Sequence, residues 1–161
     1  MNKIVGINEV GKLSNIFHNQ GDKIVLVGGC FDILHSGHIY FLNQAKKNAN
    51  ILILLLENDD SIRRKKGPNR PVNTQNERAQ VLEALIMVDI IILLPKEMSD
   101  SDYDDVVNLI KPAIIATTKG DPARAHKERQ AAQIGSQVIE VAERKTAYAS
   151  SKLAALLEKE L

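Results

Sequence analysis

Two hydrophobic rhythms alternate along the chain. One is a short apolar run rich in β-branched residues: Ile24–Val27, Ile51–Leu56, Asp89–Leu94, Ala113–Ala116 and Val138–Val141. Runs of this length, with little polar alternation, suit strands of a parallel sheet covered on both faces by helices. The other rhythm has helical spacing. Val10, Leu13, Ile16 and Phe17 form one stripe ahead of the first run, and Ile39, Leu42 and Ala45 form another behind it. Each stripe places its apolar side chains on a single helix face.

Local punctuation marks the helix starts. Thr74-Gln75-Asn76-Glu77 reads as a capping box opening a helix that carries Val81, Leu82 and Leu85. Asp121-Pro122 predicts an N-cap followed by proline at the first helical position, with Gly135 closing that helix. Ser151 is placed to cap a last helix carrying Leu153, Leu156 and Leu157. Strand–helix alternation predicts one α/β domain over residues 1–161, a three-layer sandwich around a five-stranded, mainly parallel sheet. One segment breaks the rhythm. Residues 58–73 are polar, cationic and interrupted by Pro68 and Pro71, which predicts a long functional loop that stays mobile until ligand binds.

Charge and cysteine content narrow the function classes. The net charge of +1 provides no global field for nucleic acid or a membrane surface. The longest apolar run, Ile51–Leu56, is far short of the roughly 20 residues a membrane span needs. Cys30 is the only cysteine, so no intrachain disulfide can form, and a reducing, cytoplasmic compartment is expected. The N-terminal stretch carries Glu9 and lacks a long apolar region, unlike a secretory signal.

Candidate chemistry concentrates after the first strand, in Gly28-Gly29-Cys30-Phe31-Asp32-Ile33-Leu34-His35-Ser36-Gly37-His38. Glycines at a strand end let backbone N–H groups approach a ligand closely. A helix beginning near Ser36 aims its N-terminal dipole and free N–H groups at the same place, which suits a phosphate. His35 and His38, three apart across a glycine, can both reach one anion. The carboxyl ends of the strands near a topological switch point are where such sheets bind ligands. The cationic run Arg63, Arg64, Lys65, Lys66 and Arg70 gains meaning beside a phosphate-binding turn, although alone it would read as a solvated surface. The two histidines with Cys30 make a poor zinc set, having neither a second cysteine nor a well-spaced fourth ligand. Asp32 reads equally as a brace of the turn and as a ligand contact. Lys46, His18 and His126 read as solvated helix positions, and Tyr40, Phe41 and Tyr103 as packing residues.

These residues resemble a known superfamily. His35-Ser36-Gly37-His38 matches the HxGH signature of the cytidylyltransferase-like nucleotidyltransferases, within a GCFDxLHxGH pattern from Gly29 to His38. Lys66-Gly67-Pro68, Arg70-Pro71-Val72-Asn73, Glu77-Arg78 and Val81-Leu82 are most similar to heptose 1-phosphate adenylyltransferase domains. Glycerol-3-phosphate cytidylyltransferases are the next resemblance. Near the C-terminus, Arg144 to Ser151 matches the spacing of an RTEGISTT motif, keeping Arg144 and the Ser150-Ser151 hydroxyls. The resemblance implies a Rossmann-like fold with strand order 3-2-1-4-5. It also implies the site. His35, His38, Lys66 and Arg144 would be catalytic. Gly29, Cys30, Phe31, Gly37, Asp59, Ser150 and Ser151 would bind nucleotide. Asp32, Arg70, Arg78 and Asp121 would bind the second substrate.

The implied reaction moves a nucleoside monophosphate from an NTP, carried with Mg²⁺, onto a phosphorylated small molecule, and releases pyrophosphate. The nucleophile is a phosphate oxygen, ionised near neutral pH because the second pKa of a phosphate monoester is about 6. No general base is then needed, and catalysis reduces to positioning and to stabilising charge. ATP with a sugar phosphate, heptose 1-phosphate foremost, is the leading reading. CTP with glycerol 3-phosphate or another polyol phosphate is the second, and a nucleotide sensor without catalysis is the third. A homodimer is expected. One segment departs from the heptose pattern: Thr118 stands where relatives keep the lysine of a KGGDY-like motif, and Pro122 replaces its aromatic, while Gly120-Asp121 remains. That departure bears on the substrate, not on the reaction.

Overall fold

The computed structural model describes residues 2–143 and 150–157, apart from the side chains of Ser150, Ser151, Ala154 and Leu157. Six strands form one sheet: β1 (Ile4–Gly6), β2 (Ile24–Gly29), β3 (Ile51–Leu56), β4 (Ile90–Leu93), β5 (Ile114–Lys119) and β6 (Gln137–Glu143). Every pairing is parallel, in the order β1-β4-β3-β2-β5-β6. The five expected strands therefore keep the order 3-2-1-4-5. The difference is one added edge strand, β1, whose three residues pair Ile4 with Ile91 and are too few to show a period.

The helices are α1 (Val10–Asn19), α2 (Ser36–Lys46), α3 (Asp59–Lys66), α4 (Gln75–Glu83), α5 (Asp100–Ile110), α6 (Arg124–Ile134) and α7 (Ser150–Leu157). Side chains alternate faces along a strand, and two cores result. Ile24 and Leu26 of β2 with Ile53 and Leu55 of β3 pack on Val10 and Phe17 of α1 and on Val106 and Ile110 of α5. Val25 and Val27 with Leu52, Leu54 and Leu56 pack on Phe41, Leu42 and Ala45 of α2 and on Ala79 and Leu82 of α4. Burial on both faces explains why the central strands lack polar alternation.

The chain runs from β2 to β3 on one side and later crosses from β4 to β5 on the other. The switch point, and the crevice above it, thus lie at the carboxyl ends of β2 and β5.

The segment 58–73 is not the loop its composition suggested. Its first half is the helix α3, which Asn58 caps by accepting from the Asp60 N–H at 2.9 Å. Asp59 and Asp60 occupy the first turn and Arg63 to Lys66 the last, so each charge sits at the pole of the helix dipole that favours it. Both prolines lie beyond the helix end, where Gly67 turns away at φ 102°. The capping box of α4 is as expected, with Thr74 accepting from the Glu77 N–H and Glu77 accepting from the Thr74 N–H. Val81, however, is exposed, and only Leu82 of that pair is buried. Helix α6 starts two residues later than a proline at the first position implied: Asp121 accepts from the Ala123 N–H at 2.9 Å, and Pro122 lies in the turn before the helix. Ser151 falls inside α7 and does not precede it. Two smaller readings also change. Tyr40 is exposed, and Lys46 is bound to Asp89 and to the Asn50 carbonyl.

Candidate active site

The turn after β2 is built around Phe31. This residue has φ 44°, a left-handed conformation that non-glycine residues seldom adopt. Its ring is buried and folds back over Gly29, where an added Cβ would stand 2.9 Å from a ring carbon. A side chain at position 29 would have to displace the buried Phe31 ring. The same ring meets His38 at 5.1 Å between centroids.

His35 is the N-cap of α2, and its Nδ1 accepts from the Gly37 N–H at 3.1 Å. That bond leaves no proton on Nδ1, so the neutral ring carries its proton on Nε2. Gly37 permits the bond, because a Cβ there would come within 2.9 Å of the His35 ring. His35 and His38 stack at 3.8 Å between centroids, 26° from parallel. Burial, then the neighbouring His35 and Lys66, push the His38 pKa down to about 4. Burial also lowers the pKa of His35. At neutral pH the pair consists of two uncharged imidazoles, each offering one N–H donor at the head of a helix. That arrangement stabilises an anion by hydrogen bonding and the helix dipole.

Lys66 ends α3 and is exposed. Its charge pulls the pKa of both His38 and the Cys30 thiol downward. The lysine is thus delivered by a helix and not by a loose loop. Burial raises the Cys30 thiol pKa more than Lys66 lowers it.

The expected second-substrate residues are placed differently. Asp32 is buried. Its carboxylate accepts from Arg70 Nε at 2.6 Å, from the Val72 N–H at 2.9 Å and from the Asn73 N–H at 3.0 Å. Burial alone would raise its pKa, but these donors outweigh it and hold the carboxyl below its ordinary range. Arg70 is itself buried against Asp32. Together they brace the loop at residues 67–73 against the phosphate turn. The Arg78 side chain has no exposure at all. Its guanidinium donates to the carbonyls of Asn73, Cys30 and Glu57 and to Asp59 Oδ1. The resemblance implies a ligand contact for both arginines. For Arg78 the structure corrects this by spending its donors within the protein, because an arginine at the junction of three chain segments satisfies carbonyls that would otherwise be orphaned, whereas Arg70 is tied through Nε to Asp32. Asp59 and the Cys30 carbonyl are engaged by the same guanidinium. Asp121 lies across the crevice at the end of β5, where it accepts from Thr117 Oγ1 and from Lys127 Nζ at 2.6 Å. Arg144 and the side chains of Ser150 and Ser151 lie outside the described residues.

Two neighbours carried no signal in the sequence. Glu57 follows β3, accepts from the Tyr103 hydroxyl at 2.9 Å and lies 3.6 Å from Lys65 Nζ. Lys127 reaches Asp121 from α6, ten residues after Thr117, at a spacing no motif marks.

Comparison with known proteins places this geometry. The cytidylyltransferase-like family model matches residues 26–155. The chain is 41% identical over 107 residues to the bifunctional protein HldE of Aliarcobacter butzleri, which covers 66% of this chain and 22% of that protein. It is 34% identical over 118 residues to the protein of the same name from Desulfatibacillum aliphaticivorans, covering 73% and 23%. The chain thus spans under a quarter of the length of these relatives. Among solved structures, the lipopolysaccharide core biosynthesis protein of Thermoplasma volcanium superposes with a TM-score of 0.63 at 27% identity, over 78% of this chain and all of that one. The pantoate-beta-alanine ligase of Francisella tularensis shares the fold, with a TM-score of 0.68 at 17% identity, over 100% of this chain and 74% of that one. The HxGH turn at the head of α2, the sheet order and the family match together show that the chain belongs to the cytidylyltransferase-like family of nucleotidyltransferases.

Proposed function

We propose that this nucleotidyltransferase transfers AMP from ATP to a sugar phosphate, with heptose 1-phosphate as the leading acceptor, and releases pyrophosphate. The observation that carries the reaction type is the stacked pair of neutral histidines at the N-terminus of α2, on which the Lys66 charge acts. Likeness to the HldE proteins supports the acceptor class. Mg²⁺ enters as part of the nucleotide substrate. A phosphate oxygen of the acceptor attacks the α-phosphorus, and pyrophosphate departs from the opposite side. His35 and His38 donate to the phosphate oxygens as charge redistributes, and neither needs to move a proton. Arg144, Ser150 and Ser151 complete the phosphate contacts in this reading. Cytidylyl transfer to glycerol 3-phosphate is the second reading, favoured by the family match itself. The same proposal includes a cytoplasmic homodimer. Among the described residues, no helix is long and apolar enough to cross a membrane.

Incubating the protein with ATP or CTP and each candidate phosphate, then identifying products by mass, tests the reading. An ADP-heptose mass with ATP is expected. A CDP-linked product alone would transfer the case to the second reading.

A further inference from the structure

In the transfer proposed above, the attacking and leaving oxygens lie roughly in line on opposite sides of the α-phosphorus. His35 and His38 head α2, and α2 packs on the sheet face that carries Val25 and Val27. With the triphosphate held from that side, the acceptor oxygen arrives from the face covered by α1 and α5, which carries Leu26, Ile53 and Leu55. The sheet opens there. Strand β2 pairs with β3 as far as Gly29, opposite Leu56, but with β5 only as far as Leu26, opposite Ile115. Gly28 follows Leu26 on the same face. It is exposed although it lies in a central strand, and a Cβ there would meet nothing nearer than 3.9 Å. The floor of the crevice is therefore bare glycine backbone at the start of the histidine turn.

The two walls above that floor differ. On the β5 side, the Asp121 carboxylate already takes donors from Thr117 Oγ1, from Lys127 Nζ and from the Ala123 N–H. On the β3 side stands Glu57, two residues after Leu55 and so on the same face. Its N–H donates to the Gly29 carbonyl at 3.1 Å, and Arg78 donates to the carbonyls of both Glu57 and Cys30. These bonds fix Glu57 against the histidine turn. Its side chain keeps 15% exposure. Among the described residues, the carboxylate receives the Tyr103 hydroxyl proton alone, shared between its oxygens at 3.0 and 2.9 Å. Lys65 Nζ, 3.6 Å away, is beyond hydrogen-bond reach. A carboxylate can accept about four hydrogen bonds. Most of that capacity is unused here, where burial makes an unfilled acceptor costly. Burial, then Glu57, raises the Tyr103 pKa, so the phenol stays protonated and holds the carboxylate in one orientation. A sugar hydroxyl can supply the missing protons, whereas an ionised phosphate oxygen cannot.

Resting on the adenylyl-transfer reading above, we propose that Glu57 determines acceptor specificity: with the acceptor phosphate over Gly28 and Gly29, Glu57 accepts hydrogen bonds from the sugar hydroxyls, and Tyr103 positions its carboxylate. The test compares wild type with Tyr103→Phe and with Glu57→Gln, which keeps the side-chain shape and removes the charge. Heptose 1-phosphate is varied at saturating ATP, and ATP at saturating heptose 1-phosphate. Methyl phosphate, which lacks sugar hydroxyls, is titrated as a competitor of heptose 1-phosphate, and thermal unfolding is followed for each protein. Glu57→Gln loses hydrogen bonds to a charged group and should raise the acceptor KM roughly 10- to 100-fold. Tyr103→Phe should raise it less. Both should leave kcat, the ATP KM and the methyl phosphate inhibition constant within about twofold, as for a contact made equally before and during the reaction. An unchanged acceptor KM in folded Glu57→Gln would overturn the assignment. So would an equal rise in the methyl phosphate constant, because the effect would then fall on the phosphate and not on the hydroxyls. If Glu57→Gln does not fold, the acceptor KM of Tyr103→Phe decides by the same criteria. A wild-type protein that turns over while the variants keep their acceptor KM defeats the Glu57 assignment alone. A wild-type protein that releases no pyrophosphate with any phosphate acceptor defeats the adenylyl-transfer reading, and the Glu57 assignment with it.

Discussion

The neutrality of His38 carries a consequence for stability. In the unfolded chain its imidazole titrates near 6.5, whereas in the fold burial, His35 and Lys66 hold it at about 4. Between these values the unfolded chain binds the proton and the native state does not. Stability therefore rises with pH across that window. The contribution is fully present above pH 6.5 and is lost as pH falls towards 4. From pH 7 to pH 5 the linkage relation gives a loss of about 2 kcal/mol from this one side chain. The carboxylates held below their ordinary range, such as Asp32, lose their contribution only at lower pH, so the window belongs to the histidines. His35 adds to the same slope, because its pKa is also lowered by burial. The assay is urea unfolding at pH 7, 6 and 5 for wild type and His38→Gln, whose amide does not titrate. Wild type should lose about 2 kcal/mol more than the variant across that range. An NMR titration should show the His38 ring uncharged at pH 5.5. Equal losses in the two proteins, or a His38 midpoint near 6.5, would mean that the fold does not hold His38 neutral.

Two other perturbations probe the frame of the site. Arg78→Met should destabilise the protein by about 3–5 kcal/mol in urea unfolding, because it leaves Asp59 and three carbonyls without their donor; a loss below about 1 kcal/mol would make Arg78 a dispensable surface contact. The Cys30 thiol, its pKa raised by burial, should react with iodoacetamide at neutral pH more slowly than free cysteine, and the rate should climb only above the ordinary thiol range; a rate equal to free cysteine at pH 7.5 would contradict that placement.

How much of this was legible in the sequence depended on what each signal measured. Unbroken β-branched runs report burial on both sheet faces, and all five such runs became strands. The HxGH spacing reports that two imidazoles share a helix head, and they do. The spacing cannot report their stacking or the His35 tautomer, which depend on ring rotation and on one backbone N–H. Helix α3 was hidden because its charge run looks solvated; the clue was the order, with acids at Asp59 and Asp60 and cations from Arg63 to Lys66, matching the helix dipole. Arg78 reads as a ligand contact because a basic residue near a phosphate turn has the same letter whether it faces solvent or braces three segments. Only packing distinguishes the two, and packing puts Arg78 inside.

Nucleotidyl transfer at the histidine pair is tested most sharply by pyrophosphate release at saturating ATP and Mg²⁺, with and without heptose 1-phosphate, in wild type and His38→Gln. Wild type should release pyrophosphate only when the acceptor is present. Loss of the His38 donor should lower the rate by about 10²–10³ with folding retained at pH 7.5. Saturable ATP binding with no pyrophosphate from any phosphate acceptor, or a His38→Gln protein as fast as wild type, would contradict nucleotidyl transfer at this histidine pair.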